Sequence, residues 1–160
     1  MHRSSLRSLV LACTLLGCSG SPSGPEVRPA PELRATPVRV TLGGQELVLE
    51  TYLWRDFQPI SPPDGKPLIG VLRIKAANGS AVPATTRATA AWVVLGSDVW
   101  ATAVAEEQPR GTTGDAYEVV IRDGPKWGPG VTADVVVRLR DAGGNTVLLR
   151  AADQSIHRTD

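Results

Sequence analysis

Between residues 37 and 160 the chain is a succession of short alternating stretches, each ended by glycine, asparagine or proline. A period of two puts neighbouring side chains on opposite faces of a strand, whereas a helix repeats every 3.6 residues. Residues 37–42 alternate Val38 and Val40 with Arg39 and Thr41, and Gly43-Gly44 follows as a tight-turn pair. Residues 45–54 alternate again, with Leu47, Leu49, Thr51 and Leu53 on one face and Val48, Glu50, Tyr52 and Trp54 on the other. These two stretches are predicted to form a hairpin.

The same logic runs through the rest of the chain. Residues 55–67, RDFQPISPPDGKP, carry four prolines, which cannot donate to a strand ladder, so this is a stiff loop. Residues 68–76 read as a strand with Leu72 and Ile74 inward and Arg73 and Lys75 outward, closed by Asn78-Gly79. Residues 84–95 have two readings. Ala84, Ala88, Ala91, Trp92 and Leu95 fit helical spacing, but the threonines and the Trp-Val-Val-Leu run favour a strand, which we adopt. Residues 99–106 return after Gly96-Ser97-Asp98. Tyr117, Val119 and Ile121 mark another strand, and residues 123–130 form a loop with Trp127 at its centre. Val135, Val137 and Leu139 mark the next strand, residues 142–144 turn it, and residues 145–150 pair back. About eight short strands with no long helical period point to an all-β antiparallel β-sandwich.

Two segments carry a resemblance. Residues 71–84, VLRIKAANGSAVPA, resemble the part of bacterial immunoglobulin-like domains where a strand runs into Asn-Gly and then Val-Pro. Residues 135–147, VVVRLRDAGGNTV, resemble the closing hairpin of those domains. The resemblance implies an immunoglobulin-like sandwich over residues 37–160. The chain lacks the Cys…Trp…Cys pattern, so the antibody-type version of that fold does not apply.

The N-terminus has a different character. Arg3 and Arg7 precede a short apolar run, residues 9–16, too short to span a bilayer. It ends in Leu15-Leu16-Gly17-Cys18, which resembles the lipobox of bacterial lipoproteins. That resemblance implies cleavage after Gly17, removal of residues 1–17 as a signal peptide, and acylation of Cys18, with palmitate among the usual chains. The expected address is the cell envelope, with the membrane as a partner through the lipid on Cys18. Ser19 after the cysteine implies outer-membrane sorting in a diderm organism. Residues 18–36 are rich in proline, serine and glycine and are predicted to form a disordered tether. Eighteen residues after the cysteine would reach at most about 56 Å as extended polyproline.

Charge and residue usage limit the chemistry. The formal charge of +1 becomes −1 once Arg3 and Arg7 leave, which gives no electrostatic footprint for nucleic acid. Cys13 leaves with the signal and Cys18 is acylated, so no thiol remains as a nucleophile or ligand. His157 is then the sole imidazole and lies three residues from the chain end. A Ser-His-Asp device or a zinc site is therefore poorly supplied, and no cofactor is expected. Glu106 and Glu107 are adjacent, so a strand would send them to opposite faces rather than pair them as acid and base. Asp141 and Asn145 suit a turn better than a calcium loop. Aromatic side chains are the remaining candidates. Trp92 and Trp100 are assigned to the core. Trp127, Trp54 and Tyr52 are the possible ligand contacts, since rigid rings give large contact area at low entropy cost. The sequence thus predicts a non-catalytic binding or structural module for an envelope protein or a glycan, with a carbohydrate-binding module as the alternative.

Overall fold

The computed structural model describes residues 25–111 and 115–160. Within them the chain forms one short helix, α1 (Ala30–Arg34), and eight strands: β1 (Val40–Leu42), β2 (Gln45–Asp56), β3 (Leu68–Ala76), β4 (Arg87–Leu95), β5 (Asp98–Thr102), β6 (Tyr117–Gly124), β7 (Thr132–Arg140) and β8 (Thr146–Thr159). The all-β expectation therefore holds. In space the strands run β5-β4-β7-β8-β2-β3-β6, with β1 beside β2.

Local signals explain the turns. Leu42 pairs with Gln45 across Gly43 and Gly44, both of which take positive φ, as a two-residue hairpin requires. The ambiguous stretch is a strand. In β4, Ala91 and Val93 enter the main core while Ala90, Trp92 and Val94 pack on the opposite face. Burial on both faces turns the usual alternation into a continuous apolar run.

The sheet arrangement departs from purely antiparallel pairing at one junction. The first part of β8 pairs antiparallel with β7, from Arg140↔Thr146 to Val135↔Ala151. Its last residues run parallel to β2, from Leu53↔Ile156 to Asp56↔Thr159. Between these lies a register shift, where Asp153 takes φ +54. Such a bulge bends a strand and lets it serve two pairings. The sheet is thus continuous through β8 and curls on itself. At the opposite side Ala105, just beyond β5, exchanges both backbone hydrogen bonds with Val120 of β6, at 3.0 and 2.8 Å. The bridge covers what would otherwise be two facing edges.

One core fills the curl. Leu47, Leu53, Leu72, Ile74 and Ile121 from one half meet Val93, Val135, Val137, Leu139 and Leu149 from the other. Each such side chain contributes about 1.5–3 kcal/mol when fully buried.

The folded body begins earlier than the sequence suggests, which corrects the predicted tether. Residues 25–36 are a strap laid on the outer face of β4, β7 and β8. Ala30 and Leu33 are buried there with Ala90, Trp92, Val94 and Val136. The indole N–H of Trp92 donates to the Glu26 carbonyl at 2.8 Å, and Arg34 Nε donates to Asp134 Oδ2 at 3.0 Å. Arg150 fixes the far end, its Nε donating to Thr36 O and its backbone N–H to Pro37 O. The physical reason is the apolar outer face of β4 and β7, which needs a cover that a single leucine and a short helix supply. Residues 1–24, which include the predicted signal peptide, Cys18 and the start of the tether, lie outside the described residues.

Candidate functional site

Alternation along β2 sends Leu53 into the core and leaves Tyr52 and Trp54 on the outside of the sheet. The parallel pairing with β8 sets His157 directly across from Trp54, because Ile156 is the inward residue there. The result is an aromatic strip. The Tyr52 and His157 rings stack with centroids 4.9 Å apart and planes 13° from parallel. Tyr52 and Trp54 lie 5.4 Å apart with a 32° tilt. Tyr52 is 44% exposed and is the one aromatic among the exposed large apolar side chains of the described residues.

Beside the strip is a shallow hollow of about 320 Å³ lined by Glu50, Thr51, Tyr52, Trp54, Val71 and Arg73. Its polar wall is set by cross-strand ion pairs: Lys75 Nζ to Glu50 at 3.0 Å, and Arg73 Nε to Glu118 at 2.8 Å. Apolar rings next to hydrogen-bond donors and acceptors suit a ligand with one apolar face and a polar periphery.

The three sequence-predicted contacts separate. Tyr52 and Trp54 share the strip. Trp127 is half-buried against the main core and does not line the hollow. Its loop is held by Arg55, whose guanidinium donates to the carbonyls of Lys126 at 3.0 Å and Gly128 at 2.7 Å. His157 is the strip residue that sequence reasoning passed over. Its place three residues from the chain end suggests no fixed position, yet β8 extends to Thr159 and is paired there. The alternation of Ile156 with its polar neighbours was the available signal for a strand in the tail. Trp92 is fully buried beneath the strap, and Trp100 packs partly against the core.

The acidic candidates are each occupied. Glu106 binds Arg110 at 2.9 Å and Glu107 binds Arg122 at 2.7 Å, so the two side chains go to separate partners. Hydrogen bonds from those arginines hold both carboxyls below the ordinary glutamate range. Asp141 accepts from the backbone N–H of Asn145 at 2.9 Å and from its side-chain amide at 2.8 Å, and these bonds lower its pKa. Among the described residues no group of three or more His, Cys, Asp or Glu side chains is placed to hold a metal ion. Compared with known protein families, with curated proteins and with solved structures, the chain finds no match.

Proposed function

We propose that this protein is a lipid-anchored cell-envelope module that binds a glycan without transforming it. The anchor reading rests on the lipobox resemblance at residues 15–18, with Cys18 as the acylated residue and Ser19 favouring an outer membrane where there is one. The binding reading is carried by one observation: Tyr52 is left open in a strip with Trp54 and His157, beside a hollow with a charged wall. A sheet with a filled core gains nothing from exposing these rings to water. A sugar would cover them with its C–H face and direct its hydroxyls to Glu50, Thr51 and Arg73. An envelope protein is the other partner class, and the same surface would serve it.

The test is a glycan array followed by titration of the best ligand. Tyr52→Ala and Trp54→Ala are each expected to weaken binding at least about tenfold, or roughly 1.4 kcal/mol. Trp127→Ala should leave affinity unchanged. If no glycan binds the wild type, or if both strip variants bind as it does, the glycan reading fails. Cys18→Ser is expected to leave the protein unacylated and outside the membrane fraction. Retention of that variant in the membrane would overturn the anchor.

A further inference from the structure

The strap covers the outer face of β4 and β7 only in part. Beside it lies a second hollow, of about 290 Å³, lined by Arg28, Thr89, Arg138, Arg140, Gly144 and Thr146. Its charge is unusual. Arg87 and Arg140 are direct cross-strand partners in β4 and β7, and like charges placed opposite destabilise a sheet. Among the described residues Arg87, Arg138 and Arg140 have no carboxylate within ion-pair distance. Arg87 donates to the carbonyls of Ala84 and Thr86, and Arg138 Nε donates to Thr89 Oγ1 at 2.7 Å. The nearby acids are engaged: Glu26 and Glu32 both bind Arg28, and Asp141 is turned to Asn145. With Arg28 balanced by its two glutamates and the Thr89 hydroxyl donating to Arg138 O, the net positive charge of the hollow comes from Arg138 and Arg140, and Thr146 adds a hydroxyl donor, the chemistry that receives a phosphate group.

Its position gives it a source of phosphate. The chain leaves the body next to this hollow, because Glu26 is tied to Trp92 and Arg28 lines the hollow itself. Six residues, hence seven Cα-to-Cα steps, separate Cys18 from Pro25. Whatever their conformation, they span at most about 25 Å. A compact body of this size has a radius of gyration near 14 Å, so its breadth exceeds that reach. The exit side cannot then face away from the membrane that holds Cys18. The aromatic strip projects from the outer face of β2, on the other half of the curled sheet.

We propose that the strap face rests on the bilayer, with the Arg28–Arg138–Arg140 hollow taking the phosphate of an anionic lipid headgroup. The aromatic strip is thereby directed away from the membrane. This orientation rests on the acylation of Cys18. Each arginine at an anionic surface adds roughly fivefold to the preference for that contact.

The test uses the acylated full-length protein, purified from membranes and reconstituted in vesicles. A single fluorophore is placed at Ala142→Cys, in the exposed turn next to the hollow, or at Lys75→Cys, beside the aromatic strip. Energy transfer to an acceptor lipid reports distance from the bilayer. In vesicles of phosphatidylglycerol and phosphatidylethanolamine, the probe at position 142 should transfer at least about twofold more than the probe at position 75. The tether alone keeps the exit side near the bilayer, so a difference should persist in phosphatidylcholine vesicles but be clearly smaller there, by the part that the arginine–phosphate contact adds. Arg140→Glu should remove the same charge-dependent part; Arg140 is exposed and makes no side-chain hydrogen bond among the described residues, and an unchanged melting curve will show that the fold is intact. Equal transfer from the two positions would overturn the orientation, and a difference indifferent to lipid charge and to Arg140→Glu would overturn the phosphate contact. Mass spectrometry of the same sample separates the two ideas. An unacylated Cys18 refutes both, whereas an acylated chain without a preferred face refutes the orientation alone.

Discussion

A guanidinium that is only 3% exposed and has no carboxylate within ion-pair distance among the described residues is uncommon, and Arg55 is such a group. It sits near the end of β2 and donates to four carbonyls, those of Asp64, Lys66, Lys126 and Gly128. Two loops without regular pairing, residues 57–67 and 125–131, are thereby fastened to each other and to the sheet. The planar fork suits several acceptors at once, which one ammonium cannot match. Phe57 lies over the same group at 5.0 Å and under Arg158 at 4.0 Å. Arg55→Leu leaves those carbonyls without their donor, and unsatisfied buried acceptors cost about 1–3 kcal/mol each. The expected loss is therefore at least about 3 kcal/mol in urea unfolding, with Arg55→Lys recovering only part. A loss below about 1 kcal/mol for Arg55→Leu would show that water replaces the guanidinium without penalty. The sequence did contain a hint of this role, since alternation carries Thr51, Leu53 and Arg55 to the same inward side. Nothing in the sequence, however, shows which loops the fork would reach.

At the scale of elements, the strap is the feature whose removal should be most informative. Leu33 is fully buried against Trp92 and Val136, so Leu33→Ala is expected to cost about 2–4 kcal/mol and to raise hydrogen exchange in residues 26–36 first. Protection of the strap equal to wild type in that variant would mean that Arg34, Arg150 and Asp134 hold it without the leucine. Gly124 tests the opposite side of the molecule. A Cβ there would come within 2.5 Å of the Trp100 ring, so Gly124→Ala should force β5 away from β6 and destabilise the closure at Ala105. A melting midpoint within a degree of wild type would count against that contact. These elements also mark how far the sequence could be read. Most strands and hairpin turns follow from period-two alternation and from residues that accept positive φ, and these were visible locally, whereas the last part of β8, beyond residue 150, was not assigned from sequence. Tyr52 and Trp54 were visible as same-face neighbours for the same reason. The strap was not, because five helical residues with one leucine are too short to display a period. The parallel β2–β8 pairing was also hidden, since it joins residues about a hundred positions apart. His157 entered the aromatic strip only through that register.

Across the whole molecule, ion pairs rather than covalent links fasten the loops. Asp56 binds Lys66 at 2.8 Å and Asp64 binds Lys126 at 2.6 Å, closing the proline-rich loop on itself and on the 125–131 loop. Glu106 and Glu107 do the same for the segment after β5 through Arg110 and Arg122. In each case the hydrogen bond from the basic partner is the main cause of a carboxyl pKa below its ordinary value. Asp64, Glu106 and Glu107 are exposed and Asp56 is partly buried, so the surface pairs each contribute little alone. Their signs agree, however. A carboxyl with a lowered folded-state pKa binds its proton less readily when folded than when unfolded. Its contribution is complete above the unfolded pKa, near 4, and is lost as the pH falls through the lower folded value. The melting midpoint should therefore stay level from about pH 8 to pH 5 and decline between about pH 4 and pH 2. Glu106→Gln with Glu107→Gln should start lower at neutral pH and decline less steeply in acid, because two of the proton-linked groups are gone. Differential scanning calorimetry across that range decides the matter, since a midpoint that rises on acidification below pH 4 would mean that these carboxylates oppose the fold.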